Sequence, residues 1–178
     1  MNKLWRLLRY DWPLHFVLLF TNWLPDNVIF LRLRGMCASP FLGSCGKNLR
    51  LGRNITFYNP SSMHFGNHIY IAYGCWFLAG GEITVEDEVM FGPYVVTSAG
   101  NHMRLAGSFR YGEPERLNIS IGLGTWIGAH TTIMGGVSID NGSLVASGAT
   151  VIRGEYPENV FLAGVPAVIK KVIEDEAC

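Results

Sequence analysis

From Leu51 onward an apolar residue recurs at every sixth position. The series runs Leu51, Phe57, then Phe65, Ile71, Phe77, then Val85, Phe91, Thr97, and resumes with Ile121, Ile127, Ile133, Ile139, Val145 and Val151; Thr97 is its one polar member. The residue after each is usually small or acidic (Gly52, Gly66, Ala72, Gly92, Gly122, Gly128, Asp140), and the fourth residue on is often β-branched or small (Ile55, Ile69, Cys75, Val89, Thr125, Thr131, Ala149). A period of six belongs neither to a helix, at 3.6, nor to a plain strand, at two. A short strand followed by a corner produces it, and three such units close a triangular coil of 18 residues. Each apolar residue points inward and stacks on its equivalent one coil away, while small residues occupy corners where a side chain would crowd the turn.

Sorted by face, the series gives Leu51/Ile71/Phe91/Ile127/Val145, Phe57/Phe77/Thr97/Ile133/Val151 and Phe65/Val85/Ile121/Ile139. The early coils step by 20 residues because two extra turn residues precede Phe65 and Val85. A β-sandwich would show period two and no memory of phase, whereas the 24 residues from Thr97 to Ile121 are a multiple of six. The pattern therefore predicts an all-β fold, a parallel β-helix of about four to five coils in which each unit touches only its neighbours.

Three segments depart from the repeat. Residues 103–118 carry no six-residue signal and hold Arg104, Gly107, Arg110, Gly112 and Pro114, so they leave the coil as a protruding loop and return in phase; long loops on rigid scaffolds commonly carry function. Pro157 and Gly164-Val165-Pro166 are expected to stop the coil, with Ala167–Glu176 forming a capping helix over Val168, Ile169, Val172 and Ile173. The N-terminal stretch reads as two short amphipathic helices broken at Pro13 and Pro25. The organisation is thus a helical segment over 1–40, a β-helix over 41–165 and a helix over 166–178.

Residues 1–34 hold Trp5, Trp12 and Trp23, with Lys3, Arg6 and Arg9 at the start. No small-x-small cleavage site follows the short run Phe16–Phe20, and His15, Asn22, Pro13 and Pro25 interrupt any span of the ~20 apolar residues a membrane helix requires. The segment either packs on the body or on a neighbouring chain, or lies at the inner surface of a membrane with Trp and Arg among the headgroups.

Composition narrows the function. Fourteen Lys and Arg balance 14 Asp and Glu, so there is no net basic field for nucleic acid. Apolar residues make up 49% and charged residues 16%, which excludes a disordered chain and suggests surface buried against other chains. Cys37, Cys45, Cys75 and Cys178 show no C-x-x-C spacing and read as free thiols of a cytoplasmic protein. His64 and His68 are four apart, which in a coil does not bring them to one face, so no metal site is expected.

The phrases IGLGTWIGAHTTIMGGVSID, SLVASGATVI and NVFLAGVPAVIKKV resemble the hexapeptide-repeat acyltransferases, and TSAGNHMR, just before the loop, is similar to the active-site segment of their maltose, galactoside and colanic-acid O-acetyltransferase branch. The likeness covers roughly residues 32–171. It implies a left-handed coil, a homotrimer, and active sites between adjacent subunits with acetyl-CoA lying along the coils. His102, at the corner where the loop leaves, is the expected general base: it takes the acceptor hydroxyl's proton as the oxygen attacks the thioester carbonyl and thiolate departs. Both substrates held together need no acyl-enzyme. The resemblance carries CoA contacts onto Ala129, Ser147, Ile152, Arg153 and Lys171, with Lys170 beside it and Trp126 flanking the thioester groove. Arg153, Lys170 and Lys171 are cations suited to CoA phosphates. Asn101 and Glu113 are candidate acceptor contacts.

Members acting on free sugars carry polar residues where this chain reads AYGCWFLAGG, so a larger or lipid-linked glycan is the expected acceptor. Competing readings are N-acetylation of an amino-sugar nucleotide, inactivation of a streptogramin-like antibiotic and a non-catalytic scaffold subunit. A zinc hydratase on the same coil would need three converging histidines, which the spacing of His64, His68 and His102 does not offer.

Overall fold

The computed structural model describes residues 2–174. The period-six pattern builds a three-sided parallel β-helix. Its first face stacks Ser44–Cys45, Met63–Phe65, Ile83–Val85, Ile119–Ile121, Val137–Ile139 and Gly154–Tyr156. The second stacks Arg50–Leu51, Tyr70–Ile71, Met90–Phe91, Trp126–Ile127, Leu144–Val145 and Val160–Gly164, and the third Thr56–Tyr58, Trp76–Leu78, Val96–Ser98, Thr132–Met134 and Thr150–Val151. Residues proposed as rungs of one ladder are register partners: Leu51 with Ile71, Ile71 with Phe91, Phe91 with Ile127, and Ile127 with Val145.

There are six rungs rather than four to five. The first, from Ser44, keeps the six-residue step, Cys45 standing six before Leu51, whereas the last, through Tyr156 and Leu162, lies outside it. Pro157 does not stop the coil, because it sits in a corner where no ladder N–H is required.

Inward residues are buried apart from Phe57 and, on the end rungs, Cys45 and Tyr156, which are half-buried. Four of those in the lower rungs are phenylalanines: Phe77 stacks on Phe57 at 5.4 Å and meets Phe65 and Phe91 edge-on at 5.8 and 5.2 Å. Burying each such side chain stabilises the coil by roughly 1.5–3 kcal/mol. At the corners His68 and His130 hold φ of 59° and 57°, a left-handed conformation that histidine adopts more readily than most residues.

The C-terminal capping helix is not formed. Ala167–Val172 is a strand that turns back through Gly164–Pro166 and pairs antiparallel with Val160–Gly164; residues 175–178 of the expected helix lie outside the described residues. Val168, Ile169 and Val172 favour an extended chain, and the strand covers an edge that would otherwise stand open.

At the other end α1 (Lys3–Arg6), a π-helical turn (Leu7–Asp11) and α2 (Trp12–Thr21) form one helical run, followed by α3 (Val28–Ala38). Pro25 lies in the break, as expected, but Pro13 does not break the helix. It is the second residue after the π turn, where the widened backbone relieves the clash of a proline ring with the preceding turn. Arg34, fully buried, ties the run to the coil: it donates to the carbonyls of Thr21 (3.0 Å), Leu24 (2.9 Å) and Leu51 (2.5 Å) and pairs with Asp26 at 3.1 Å. Burial lowers its pKa, and Asp26 opposes that shift. No helix among the described residues is long and apolar enough to cross a membrane.

Candidate active site

Every insertion into the period falls at one corner, between the third face and the first. The lower two rungs hold Pro60–Ser62 and the Gly80-Gly81 turn there; on the third rung residues 99–118 leave, and the fourth returns to the tight Gly135-Gly136 corner. The excursion is a β-hairpin whose strands Gly100–His102 and Pro114–Arg116 pair antiparallel, setting Gly100 opposite Arg116, Asn101 opposite Glu115 and His102 opposite Pro114. The stem passes close over the rung below. A Cβ on Gly80 would lie 2.9 Å from the Ala99 carbonyl oxygen and 3.2 Å from the Gly100 Cα, so a glycine is required for the hairpin to seat.

His102 ends the first strand of this stem and is exposed. It opens on a cavity of about 420 Å³ lined by Asn59, Leu78, Gly80, Ser98, Asn101, Glu115 and Arg116 among others. A second cavity of about 260 Å³ lies against the same stem and shares Gly100, Asn101 and Glu115; Leu117, Met134, Gly135, Ile152 and Arg153 complete it. The inserted corner residues thus build the walls of both. Asn59, at φ 58°, donates to the Ala79 carbonyl at 2.9 Å and fixes the floor of the first. His102 is therefore presented on a paired strand, with its backbone N–H donating to Asn101 Oδ1 at 3.0 Å.

The other predicted residues divide. Asn101, His102, Ile152 and Arg153 gather at this corner. Ala129 and Ser147 lie one rung apart at the corner between the second and third faces, the Gly148 N–H donating to the Ala129 carbonyl at 2.8 Å. Trp126 is exposed at the start of a second-face strand, between Met90 and Leu144. Lys171 pairs with Phe161 on the C-terminal strand, and Lys170 falls in the register shift beside it. Glu113 stands farther out on the hairpin, its carbonyl accepting from the Met103 N–H at 3.1 Å, and lines neither cavity.

Glu115, Arg116, Ser98 and Met134 line the cavities and were missed. The hairpin register that brings Glu115 opposite Asn101 leaves no trace in a six-residue pattern.

Of the remaining four histidines, His15 packs edge-on against Phe16 with centroids 5.6 Å apart, and the other three have partners in the coil. His64 Nδ1 lies 2.9 Å from Ser44 Oγ, His68 Nδ1 lies 3.0 Å from Asn48 Nδ2, and His130 stacks on Tyr94 with centroids 5.0 Å apart. Among the described residues no three His, Cys, Asp or Glu side chains gather in a metal-binding group.

No protein-family model matches the chain. Over 142 residues it is 33% identical to a putative acetyltransferase of Saccharomyces cerevisiae, spanning 76% of this chain and 69% of that protein. It is 30% identical over 130 residues to the galactoside O-acetyltransferase of Escherichia coli K12, spanning 73% of this chain and 64% of the relative, a little under two thirds of its length. The coordinates superpose on a galactoside acetyltransferase solved in complex with coenzyme A with a TM-score of 0.80 and 26% identity, covering 91% of this chain and 80% of the other. The chain therefore belongs to the hexapeptide-repeat acetyltransferases, built on the left-handed β-helix, in the branch of the galactoside O-acetyltransferases.

Proposed function

We propose that this protein transfers an acetyl group from acetyl-CoA to a sugar hydroxyl of a glycan or glycan precursor, with His102 as general base and no acyl-enzyme. The observation that carries the reading is the position of His102. It stands on a rigid two-stranded stem, at the corner that collects every insertion, with one cavity on its own side and a second across Asn101 and Glu115. Histidine accepts the hydroxyl proton as the oxygen attacks the thioester, and that proton returns to the leaving thiolate. The second cavity, with Ile152 and the Arg153 cation, suits the CoA arm; the first, with Asn101 and with Glu113 farther out, suits the acceptor. The outward Tyr58–Trp76 stack, centroids 5.6 Å apart, offers an aromatic surface beside Leu78 in keeping with a glycan acceptor.

A homotrimer belongs to the same proposal. Trp126, Ala129, Ser147, Lys170 and Lys171 lie away from His102 on one chain, so a single CoA molecule meets both sets only where a neighbouring copy supplies the second. Met103, Leu105, Phe109 and Tyr111, exposed on the hairpin, provide apolar surface for that neighbour. Replacing His102 with Ala is expected to lower thiol release from acetyl-CoA, with a sugar acceptor present, by roughly 10²–10⁴-fold while leaving CoA affinity intact. Undiminished turnover in the variant would remove the histidine from the mechanism.

A further inference from the structure

The helical run α1–α2 is apolar on two opposite sides. Leu14 and Leu18 face inward and are buried, with Val17 packed against the core. On the outer side Leu4, Trp5, Leu8, Trp12, Phe16 and Phe20 follow one another at helical spacing, all exposed, and Trp23 beyond the helix end is 88% exposed. A contiguous apolar face of this extent is uncommon on a soluble surface. Its placement is fixed, because Arg34 clamps the end of α2 and the following turn through the Thr21 and Leu24 carbonyls.

Charge separates along the same direction. Residues 1–53 hold eight of the 14 Lys and Arg but only two of the 14 Asp and Glu, and residues 54–178 hold six and twelve, so the neutral chain has a cationic end and an anionic end. The aromatic face lies at the cationic end, with Lys3, Arg6 and Arg9 on the same helical run against one acid, Asp11, which lies 3.6 Å from Arg6, and no acidic residue between Asp26 and Glu82.

We propose that this face seats the protein on an anionic lipid bilayer. Trp and Phe side chains enter the boundary between headgroups and acyl chains while the Lys and Arg side chains meet lipid phosphates. The run lies on the membrane without spanning it, as its length requires. Seated this way, the coil rises from the bilayer on its first rung. The rung from which the hairpin leaves stands two strand spacings higher, about 10 Å, within reach of a glycan anchored in the same bilayer. The proposal does not depend on the role of His102.

The test is co-sedimentation of the full chain with phosphatidylcholine vesicles, with or without roughly one third phosphatidylglycerol. Binding is expected to the anionic vesicles, with a blue shift of tryptophan emission and weakening as salt is raised. The exposed-face triple variant Trp12→Ser, Phe16→Ser, Phe20→Ser should lose at least about tenfold in partitioning, with an unchanged thermal transition. Two results overturn the proposal: no vesicle binding by the unmodified protein, or equal binding by the triple variant. Loss of an oligomer in light scattering of that variant overturns it as well, since the face would then be covered by a second copy of the chain.

Discussion

The three rungs below the hairpin and the three above it share one triangular coil but are filled differently. Below, the step is 20 residues and the interior is crowded with Phe57, Phe65, Phe77 and Phe91; above, the step is 18, shortening to 17 at the last rung, and the interior is Ile121, Ile127, Ile133, Ile139, Val145 and Val151, closed by Tyr156 and Leu162. The additional residues sit at the corner where the two cavities form, so the longer perimeter, the larger interior side chains and the site go together. The wide half carries the helical cap and the cationic surplus, and the narrow half ends in the antiparallel strand Ala167–Val172. The hairpin that walls both cavities thus leaves where the repeat is relaxed, and the regular rungs above contribute Met134, Ile152 and Arg153 to the second of them.

The sharpest way to break this comparison is to empty the wide interior. Phe77 touches three other phenyl rings, and Phe77→Ala is expected to destabilise the fold by about 3–5 kcal/mol, against about 0.5–1.5 kcal/mol for Ile133→Val in the narrow half. Urea unfolding measures both. Because rungs contact only their neighbours, hydrogen exchange should show protection lost mainly in residues 44–98 for the first variant. A uniform loss over all six rungs would mean that the halves do not differ in the way argued.

The wide half also contains a buried thiol where the rung above carries Val95. Burial pushes Cys75 from its ordinary value up to about 11, against the pull of hydrogen bonds from the Val95 and Tyr94 backbone, and the thiol donates to the Gly92 carbonyl at 3.2 Å. A thiol with a raised folded-state pKa favours folding while it is neutral in both states. Once the unfolded chain ionises near pH 9, that contribution is lost progressively as pH rises toward about 11. The loss should reach about 2–3 kcal/mol. Comparing the pH dependence of unfolding with that of Cys75→Val isolates it, and identical profiles above pH 9 would place the thiol in contact with solvent.

Much of this was legible in the sequence, and the failures have physical causes. The ladders Leu51/Ile71/Phe91 and Phe65/Val85/Ile121 followed from period alone, since an inward residue must be apolar at each step. The rung through Tyr156 and Leu162 was hidden because the final steps shorten to 17 residues from Ile139 and Val145. Val168, Ile169, Val172 and Ile173 fit a helical stripe as well as a strand, and only the turn at Gly164–Pro166 with a free edge beside it decides between them. Pro13 reads as a breaker because a π turn has no sequence signature. The sequence points to His102 as a candidate through its corner and its motif, whereas the place of Glu115 beside Asn101 depends on hairpin register.

The junction between the two halves is the place to sharpen the comparison further. Thr97 is the inward residue of the third rung, paired with Phe77 below and Ile133 above, and it is fully buried. Thr125 and Thr131, buried at corners, donate to the carbonyls of Asp140 at 3.3 Å and Ala146 at 3.2 Å. The Thr97 hydroxyl lies on a flat face between hydrocarbon neighbours and has no hydrogen-bond partner. An unpaired buried hydroxyl opposes folding, so Thr97→Val, of nearly the same shape, should raise stability by about 1 kcal/mol. The change lies on the inner side of the strand that leads to Ser98 and the hairpin, so acetyl transfer should be unaffected if that strand acts only as a support. A lower melting temperature would show that the hydroxyl has a partner in solution, and a lower turnover at equal stability would show that the inner side of this strand sets the position of the stem bearing His102.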